Sequence, residues 1–447
     1  MPYESTTEIA QTNPLPRPSV LSGRLDIVDI VRGIALLGIL LLNIPYFSME
    51  PYQSEAWNQD TSSVNFWVHA VNMIFFEGKM RALFSMVFGA GILLFTMNKE
   101  QSGKSATGLF YKRMGWLVLF GLAHAHLLLW MGDILYFYGL IGMLAFLFRK
   151  MKPAYLAIGV PLVAIISFVS GTLFMQSIRA KYLDYKEVQA LVETGAEIGE
   201  KEEAALAAWK EVQKEMLPNK EEVKEKTLLI KGSYAQVAEV VRKKAFESQT
   251  KYLIFNVWDM LALMLLGMAL YKWGFFTLQW SQAQYRKTIW IGYGVGFPMV
   301  IFSFVYNKVH FPNVESGLAF IKTHSIIWVD LLYHFQRILI MMAHVAVVML
   351  LYQKGYMQKL MGALKAVGQL AFTNYVMHSV ICTLVFFGYG LNQYATWNYY
   401  QLYFLVFAVW AFQLIFSPLW LKYFLFGPLE WLWRSLTYGK WQPFVRK

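Results

Sequence analysis

Several side chains able to carry protons or charge sit inside stretches otherwise fit for lipid, where an ionisable group is costly and therefore a candidate site by default. Over 326–352, Asp330, His334, Arg337, Met341 and His344 follow at intervals of four, three, four and three residues, which places them on one helical face. An aspartate one turn from a histidine can orient the imidazole and favour its charged form, as a general base requires. The same residues serve equally well as a structural Asp–His–Arg network. In GLAHAHLLLWMGDILYFYGL, His124 and His126 are two residues apart and point to different sides of a helix. Asp133 follows Gly132 at the turn and reads as a cap for the next helix, a role compatible with chemistry.

Asp259 has no partner near it in sequence and must find one on another helix or in water. Glu77, Lys79 and Arg81 form EGKMR, either an internal ion-pair cluster or an anion-binding corner. Asp26, Asp29 and Arg32 recur every three residues at the start of the first apolar stretch, and Asn43 lies near its far end. A buried Asn amide ties helices together, or donates to an oxygen that becomes negative in a transition state. Thr373, Asn374, His378 and Ser379 make a further polar stripe, with Asn374 and His378 one turn apart.

The elements that must position these groups are membrane helices. Of 447 residues 57% are hydrophobic and 15% charged, with a mean hydropathy of +0.40, a composition too apolar for a soluble surface. Apolar runs suited to a hydrocarbon core about 30 Å thick fall near 29–47, 81–97, 114–130, 133–148, 154–176, 252–273, 289–307, 326–352, 369–387 and 400–421. The stretch 64–76 is too short to span and reads as an interfacial helix. The expected fold is all-α: a polytopic integral membrane bundle of about ten transmembrane helices with an extracytoplasmic helical insert. Its parts are a disordered arm at 1–23, a first bundle at 24–176, a charged insert at 177–250, a second bundle at 251–426 and an amphipathic cytoplasmic segment at 427–447. The arm lacks the basic and apolar regions of a cleaved signal peptide.

Lys and Arg set the orientation. With the N-terminus inside, twenty of them fall in inner segments and four (Lys79, Arg81, Lys308, Lys322) at outer ones, the insert aside. Both termini are thus expected in the cytoplasm and the membrane to be the bacterial inner membrane. The net charge of +12 is explained by this asymmetry, without nucleic acid as a partner. The single cysteine, Cys382, excludes an intrachain disulfide, and no metal is expected because the His-x-His at 124–126 has the wrong phase for two ligands on one face. Phosphate-loop, GxSxG and HExxH motifs are absent. Gly89-Ala90-Gly91 reads as a packing seam.

Five ordered segments, RLDIVDIVRGIALLGILLLNI (24–44), FEGKMRALFSMVFGAG (76–91), WMGDIL (130–135), GQLAFTNYVMHS (368–379) and GPLEWLWRSLTYG (427–439), resemble the bacterial YeiB-like family, also called domain of unknown function 418. That family is more distantly similar to the transmembrane acyltransferase superfamily. The resemblance implies transfer of an acyl group from cytoplasmic acyl-CoA (acetyl-CoA, as a co-substrate with no tightly bound cofactor) to an extracytoplasmic small-molecule or glycan acceptor. The shared first-span pattern is here Arg24, Leu25, Asp26, Arg32, Gly33 and Asn43. The histidine that glycan acetyltransferases carry just after that span is missing, the next one being His69.

Under this reading the catalytic candidates are His334, Asp330, Asp133, His124 and Asn43, with His334 as base. The substrate-binding candidates are Arg32, Lys79, Arg81, Arg113, Asp259, Arg337, Asn374 and His378, with Arg32, Lys112 and Arg113 holding the CoA phosphates. A transporter or exporter of a small anionic or lipidic substrate would use the same Asp, His and Arg for proton coupling. A third reading is a structural membrane partner whose insert binds another protein. Lipids surround the bundle under all three, and a homodimer is compatible with each.

Overall fold

In a computed structural model of the chain, the described residues are 26–49, 60–101, 105–217 and 219–446; the arm expected at 1–23 lies outside them. The chain folds as helices in the order α1 (Asp26–Ser48), α2 (Val64–Val71), a π-helical turn (Asn72–Phe76), α3 (Lys79–Gln101), α4 (Thr107–His126), α5 (Leu135–Leu147), α6 (Pro153–Glu193), α7 (Glu200–Met216), α8 (Lys220–Ile230), α9 (Tyr234–Gln249) and α10 (Leu253–Lys272). Then follow α11 (Gln282–His310), α12 (Val314–Thr323), α13 (Asp330–Gln353), α14 (Gln358–Gln369), α15 (Ala371–Phe386), α16 (Tyr399–Tyr423) and α17 (Pro428–Tyr438).

Six helices among the described residues are long and apolar enough to cross a membrane, or seven if the bent pair α14–α15 is one span. Each of the ten expected stretches is helical, but α4, α5 and α10 fall outside that set. In α4 the reason is visible in the sequence: Lys112 and Arg113 sit one turn into the helix, and its last turn carries His124 and His126. The stretch expected to lie apart at the interface, 64–76, instead runs on through Glu77 and Gly78 into α3, so that 64–97 forms one candidate span of 34 residues. The boundary expected at 176/177 falls inside α6, which is continuous for 41 residues.

α1 is the hub. It is buried on nearly every side and packs on α3, α14, α15 and α16. Its crossing with α14 requires two glycines: a Cβ at Gly33 would stand 2.2 Å from the Leu364 carbonyl oxygen, and one at Gly368 would stand 1.8 Å from that of Asp29. The seam read at Gly89 is of the same kind, its Cα facing the backbone of Met264 where α3 meets α10. α11 and α13 form the other closely packed pair.

The chain's tail, α17, begins with Pro428 at the first helical position and ends at Gly439, whose φ of 66° suits glycine. It packs on α4 and α15, and this side of the bundle is termed the tail end. At the opposite, insert end, Trp209 and Val212 of α7 close a small apolar core with Ile178 and with Leu318 of α12. There α9 grips the loop after α4: Arg242 Nε donates to the His126 carbonyl and Tyr234 Oη to that of Leu127, both at 2.8 Å.

Candidate active site

Two polar centres lie in the insert-end half of the bundle. The first is a chain of three side chains from three helices. His124 closes α4 and is 2% exposed; Asp133, also 2% exposed, sits in the turn before α5; Ser379, 1% exposed, lies in mid-α15. His124 Nδ1 stands 2.7 Å from Asp133 Oδ1, and Nε2 stands 2.8 Å from Ser379 Oγ. The proton positions follow from the partners. With the carboxylate ionised and the imidazole neutral, Nδ1 carries the hydrogen, Nε2 accepts, and the Ser379 hydroxyl donates. The second carboxylate oxygen takes the capping bond from Tyr136 N at 2.9 Å, which fixes the carboxylate plane. Hydroxyl, imidazole and carboxylate thus stand in the order that activates a nucleophile in triad hydrolases, a constellation identified by geometry and role on unrelated folds.

His126, two residues on, faces the other way and meets Gln249 of α9 at 2.9 Å. Tyr375, one turn before Ser379 on α15, packs its ring edge-on against His124 at 5.1 Å between centroids. Its hydroxyl accepts from Trp130 Nε1 and Ile134 N.

The second centre joins α3, α10 and α13. Arg337, 1% exposed, forks onto both oxygens of Asp259, and Arg81 approaches the same carboxylate at 3.5 Å. Arg337 Nη2 also donates to His334 Nδ1 at 2.8 Å. The same Nδ1 lies 3.4 Å from Asp259 Oδ1, so a donor and an acceptor both address it. His334 is thus held in this cluster by Arg337 and Asp259 together. Asp330 does not orient it: Asp259 occupies that position, while Asp330 starts α13 and lines a cavity of about 230 Å³ with Tyr333, Ser303 and Asn307. Glu77 accepts from Tyr333 Oη, and Lys79 Nζ donates to the Met73 carbonyl at 2.7 Å.

The remaining candidates stand elsewhere. His378 Nε2 meets Gln413 Oε1 at 2.9 Å, Gln413 donates back to the Asn374 carbonyl, and Asn374 donates to Ser417. These two expected substrate ligands therefore belong to a network tying α15 to α16. His344 is held between Tyr293 and the Phe75 carbonyl. Asn43 is half-buried on α1 and belongs to neither centre.

A cavity of about 260 Å³ runs from the tail end to Tyr375, whose other side faces His124. Its mouth carries Arg32, Arg113 and Arg434, its walls Phe84, Phe88, Phe95 and Phe110, and its deep end Tyr138 and Tyr375. Arg32 pairs with Asp29 at 2.6 Å, and the Arg113 guanidinium lies 3.6 Å over the Trp433 ring of α17. Glu430 of α17 anchors that side by accepting from Phe372 N and Thr373 N, which caps α15. Burial pushes the Glu430 carboxyl above its ordinary value, against the hydrogen bonds that favour its charged form. Two charges expected near a phosphate, Arg32 and Arg113, thus share one mouth. The partner that sequence spacing did not single out is Ser379, 255 residues from the histidine it meets.

Residues 270–440 match the family described as "Protein of unknown function (DUF418)". Uncharacterized protein YxaH of Bacillus subtilis is 28% identical over 96% of this chain and 98% of its own length. Uncharacterized protein YeiB of Escherichia coli is 28% identical over 94% of this chain and 98% of its own. An uncharacterized 39.9 kDa protein of Bacillus acidopullulyticus is 25% identical, covering 96% and 98%. No solved structure matches the chain.

Proposed function

For this membrane protein of the YeiB-like DUF418 family, we propose acyl transfer across the bilayer, from an acyl-CoA at the tail end to a hydroxyl or amine acceptor at the insert end. The observation that carries this reading is a single passage: an arginine-rimmed, aromatic-walled cavity whose deep end abuts a Ser–His–Asp chain. Arginine suits phosphate at the mouth, since its fork matches phosphate oxygens. Phenylalanine suits an acyl chain, and a histidine whose Nε2 stands 2.8 Å from a hydroxyl suits proton removal from a nucleophile. His124 is the base and Asp133 its orienting partner. Arg32 and Arg113 hold the phosphates of the carrier. The excess of Lys and Arg at the tail end supports a cytoplasmic tail end, and the reading includes about ten spans in the inner membrane.

A proton-coupled transporter is the second reading. It is favoured by the Arg81–Asp259–Arg337–His334 cluster, which joins three membrane helices and lies outside the acyl passage.

The test is ligand-induced stabilisation of the purified protein by acetyl-CoA and longer acyl-CoAs. A ligand that binds only the folded state stabilises it by about 2.7 kcal/mol at a hundred times its Kd. The unfolding midpoint should rise with acyl-CoA in the native protein and in His124→Gln, and the rise should vanish in Arg113→Ala. No rise at millimolar acyl-CoA, together with substrate flux that follows a proton gradient, would favour the transporter instead.

A further inference from the structure

We infer that Ser379 is a covalent acyl carrier, so that transfer proceeds through an O-acyl-serine in mid-α15; this rests on the acyl-transfer reading above. Three observations converge on that hydroxyl. Its oxygen lies 2.8 Å from the His124 nitrogen that can take its proton, and that imidazole is itself held at 2.7 Å by a nearly inaccessible carboxylate. The acyl cavity ends at Tyr375, one helical turn from Ser379 on the same face of α15. The loop that carries Asp133 also holds the Tyr375 hydroxyl through Trp130 and Ile134, so the cavity's end and the His124 partner are fixed by one segment.

A direct transfer would require donor and acceptor to meet in one place at one time. A serine between the two sides removes that requirement. In the first half-reaction, Ser379 Oγ attacks the thioester carbonyl and its proton passes to His124 Nε2. The tetrahedral adduct collapses, the C–S bond breaks, and the departing sulfur takes the proton from His124, leaving O-acyl-Ser379 and free CoA thiol. In the second, the acceptor hydroxyl gives its proton to His124 and attacks the acyl carbonyl. Ser379 then leaves and regains that proton. Asp133 stays ionised and stabilises the imidazolium in both halves. The Tyr375 ring stands between cavity and serine, so it must turn aside for the acyl group to arrive. Its three partners (Trp130, Gly132, Ile134) all belong to the loop between α4 and α5.

The experiment uses the full chain in detergent or nanodiscs with two reagents in parallel. One is an alkyne-tagged fluorophosphonate, which reports an activated serine without any acyl-CoA. The other is acetyl- or octanoyl-CoA, followed by acid quench and peptide mass spectrometry across 371–386. Both should mark Ser379, the mark should be absent in Ser379→Ala, and it should fall at least ~10-fold in His124→Gln and Asp133→Asn. Ser379→Cys keeps the side-chain size and should take the acyl group as a thioester, which guards against loss of fold in the alanine variant. The carrier assignment is overturned if native protein releases CoA at a rate that Ser379→Ala retains, with Ser379 unmarked by either reagent; acyl transfer itself would then stand. Fluorophosphonate marking of Ser379 with no CoA release and no acyl-CoA-induced stabilisation would overturn the acyl-CoA reading and leave an activated serine for another acyl donor.

Discussion

Asp133→Asn tests the site without emptying it. The carboxylate has two assigned tasks: Oδ2 accepts from Tyr136 N and Oδ1 accepts from His124 Nδ1. An asparagine keeps one acceptor. If its oxygen stays on Tyr136 N, its NH₂ faces His124, so Nδ1 must accept and the ring hydrogen moves to Nε2. The histidine then donates toward Ser379 and cannot take its proton. Turning the amide over to recover the working tautomer places donor against donor at Tyr136, costing about 2–4 kcal/mol for a lost bond and an unsatisfied group. The charge-assisted bond to the imidazolium is lost as well, about 1.5–3 kcal/mol. Together these raise the barrier by roughly 3.5–7 kcal/mol, a rate loss of roughly 10³- to 10⁵-fold at 1.36 kcal/mol per decade. Stability changes far less, since the Tyr136 bond is kept and the two bonds at His124 are remade with reversed polarity. The assay is CoA thiol release by the reconstituted protein, with the unfolding midpoint measured beside it. A rate within tenfold of the native one, at unchanged midpoint, would refute the assignment of His124 as base and Asp133 as its partner.

Asp259→Ala removes the shared counterion of Arg81 and Arg337 and strands the nearly inaccessible Arg337. The expected loss is about 3–5 kcal/mol, read as a lowered unfolding midpoint, whereas Asp330→Asn should stay within about 0.5 kcal/mol; equal effects would contradict the pairing described. Glu430 supplies a pH dependence. Its folded carboxyl is raised above the ordinary 4.5 by burial, so the native state binds the proton more tightly than the unfolded chain. The stability it contributes is present below that ordinary value and falls as pH rises through the raised one. Glu430→Gln should flatten this fall in a midpoint-against-pH profile, and parallel profiles would count against it.

Periodicity in the sequence was informative where the relevant neighbour lies on the same helix. It separated His124 from His126, while the turn at Gly132 marked Asp133 as a cap and the Lys and Arg asymmetry put Arg113 at the same end as Arg32. It failed where a neighbour on another helix competes. Asp330 stands one turn from His334, yet Arg337 reaches both His334 and Asp259 with its several donors, and that interhelical fork outweighs the local pair. Ser379 could be recognised as part of a polar stripe, but nothing in α15 states that α4 will present an imidazole to it. His378, its neighbour, was marked by its one-turn spacing from Asn374; its direction, toward α16, depends on packing that spacing alone does not determine. The ten apolar runs all became helices, and the crossing that holds α1 to α14 was written only in two glycines 335 residues apart, Gly33 and Gly368.

The uninterrupted course of α6 has a mechanical consequence. Its 41 residues at about 1.5 Å each make a rod roughly 60 Å long, about twice the hydrocarbon thickness. A tilt of about 5° about one end of such a rod displaces the other by roughly 5 Å over that length. The insert rides on this rod, and through Arg242, Tyr234 and Gln249 it also holds the loop beside His124. A tilt of α6 and the position of the segment between His124 and Asp133 are therefore linked through residues 200–249.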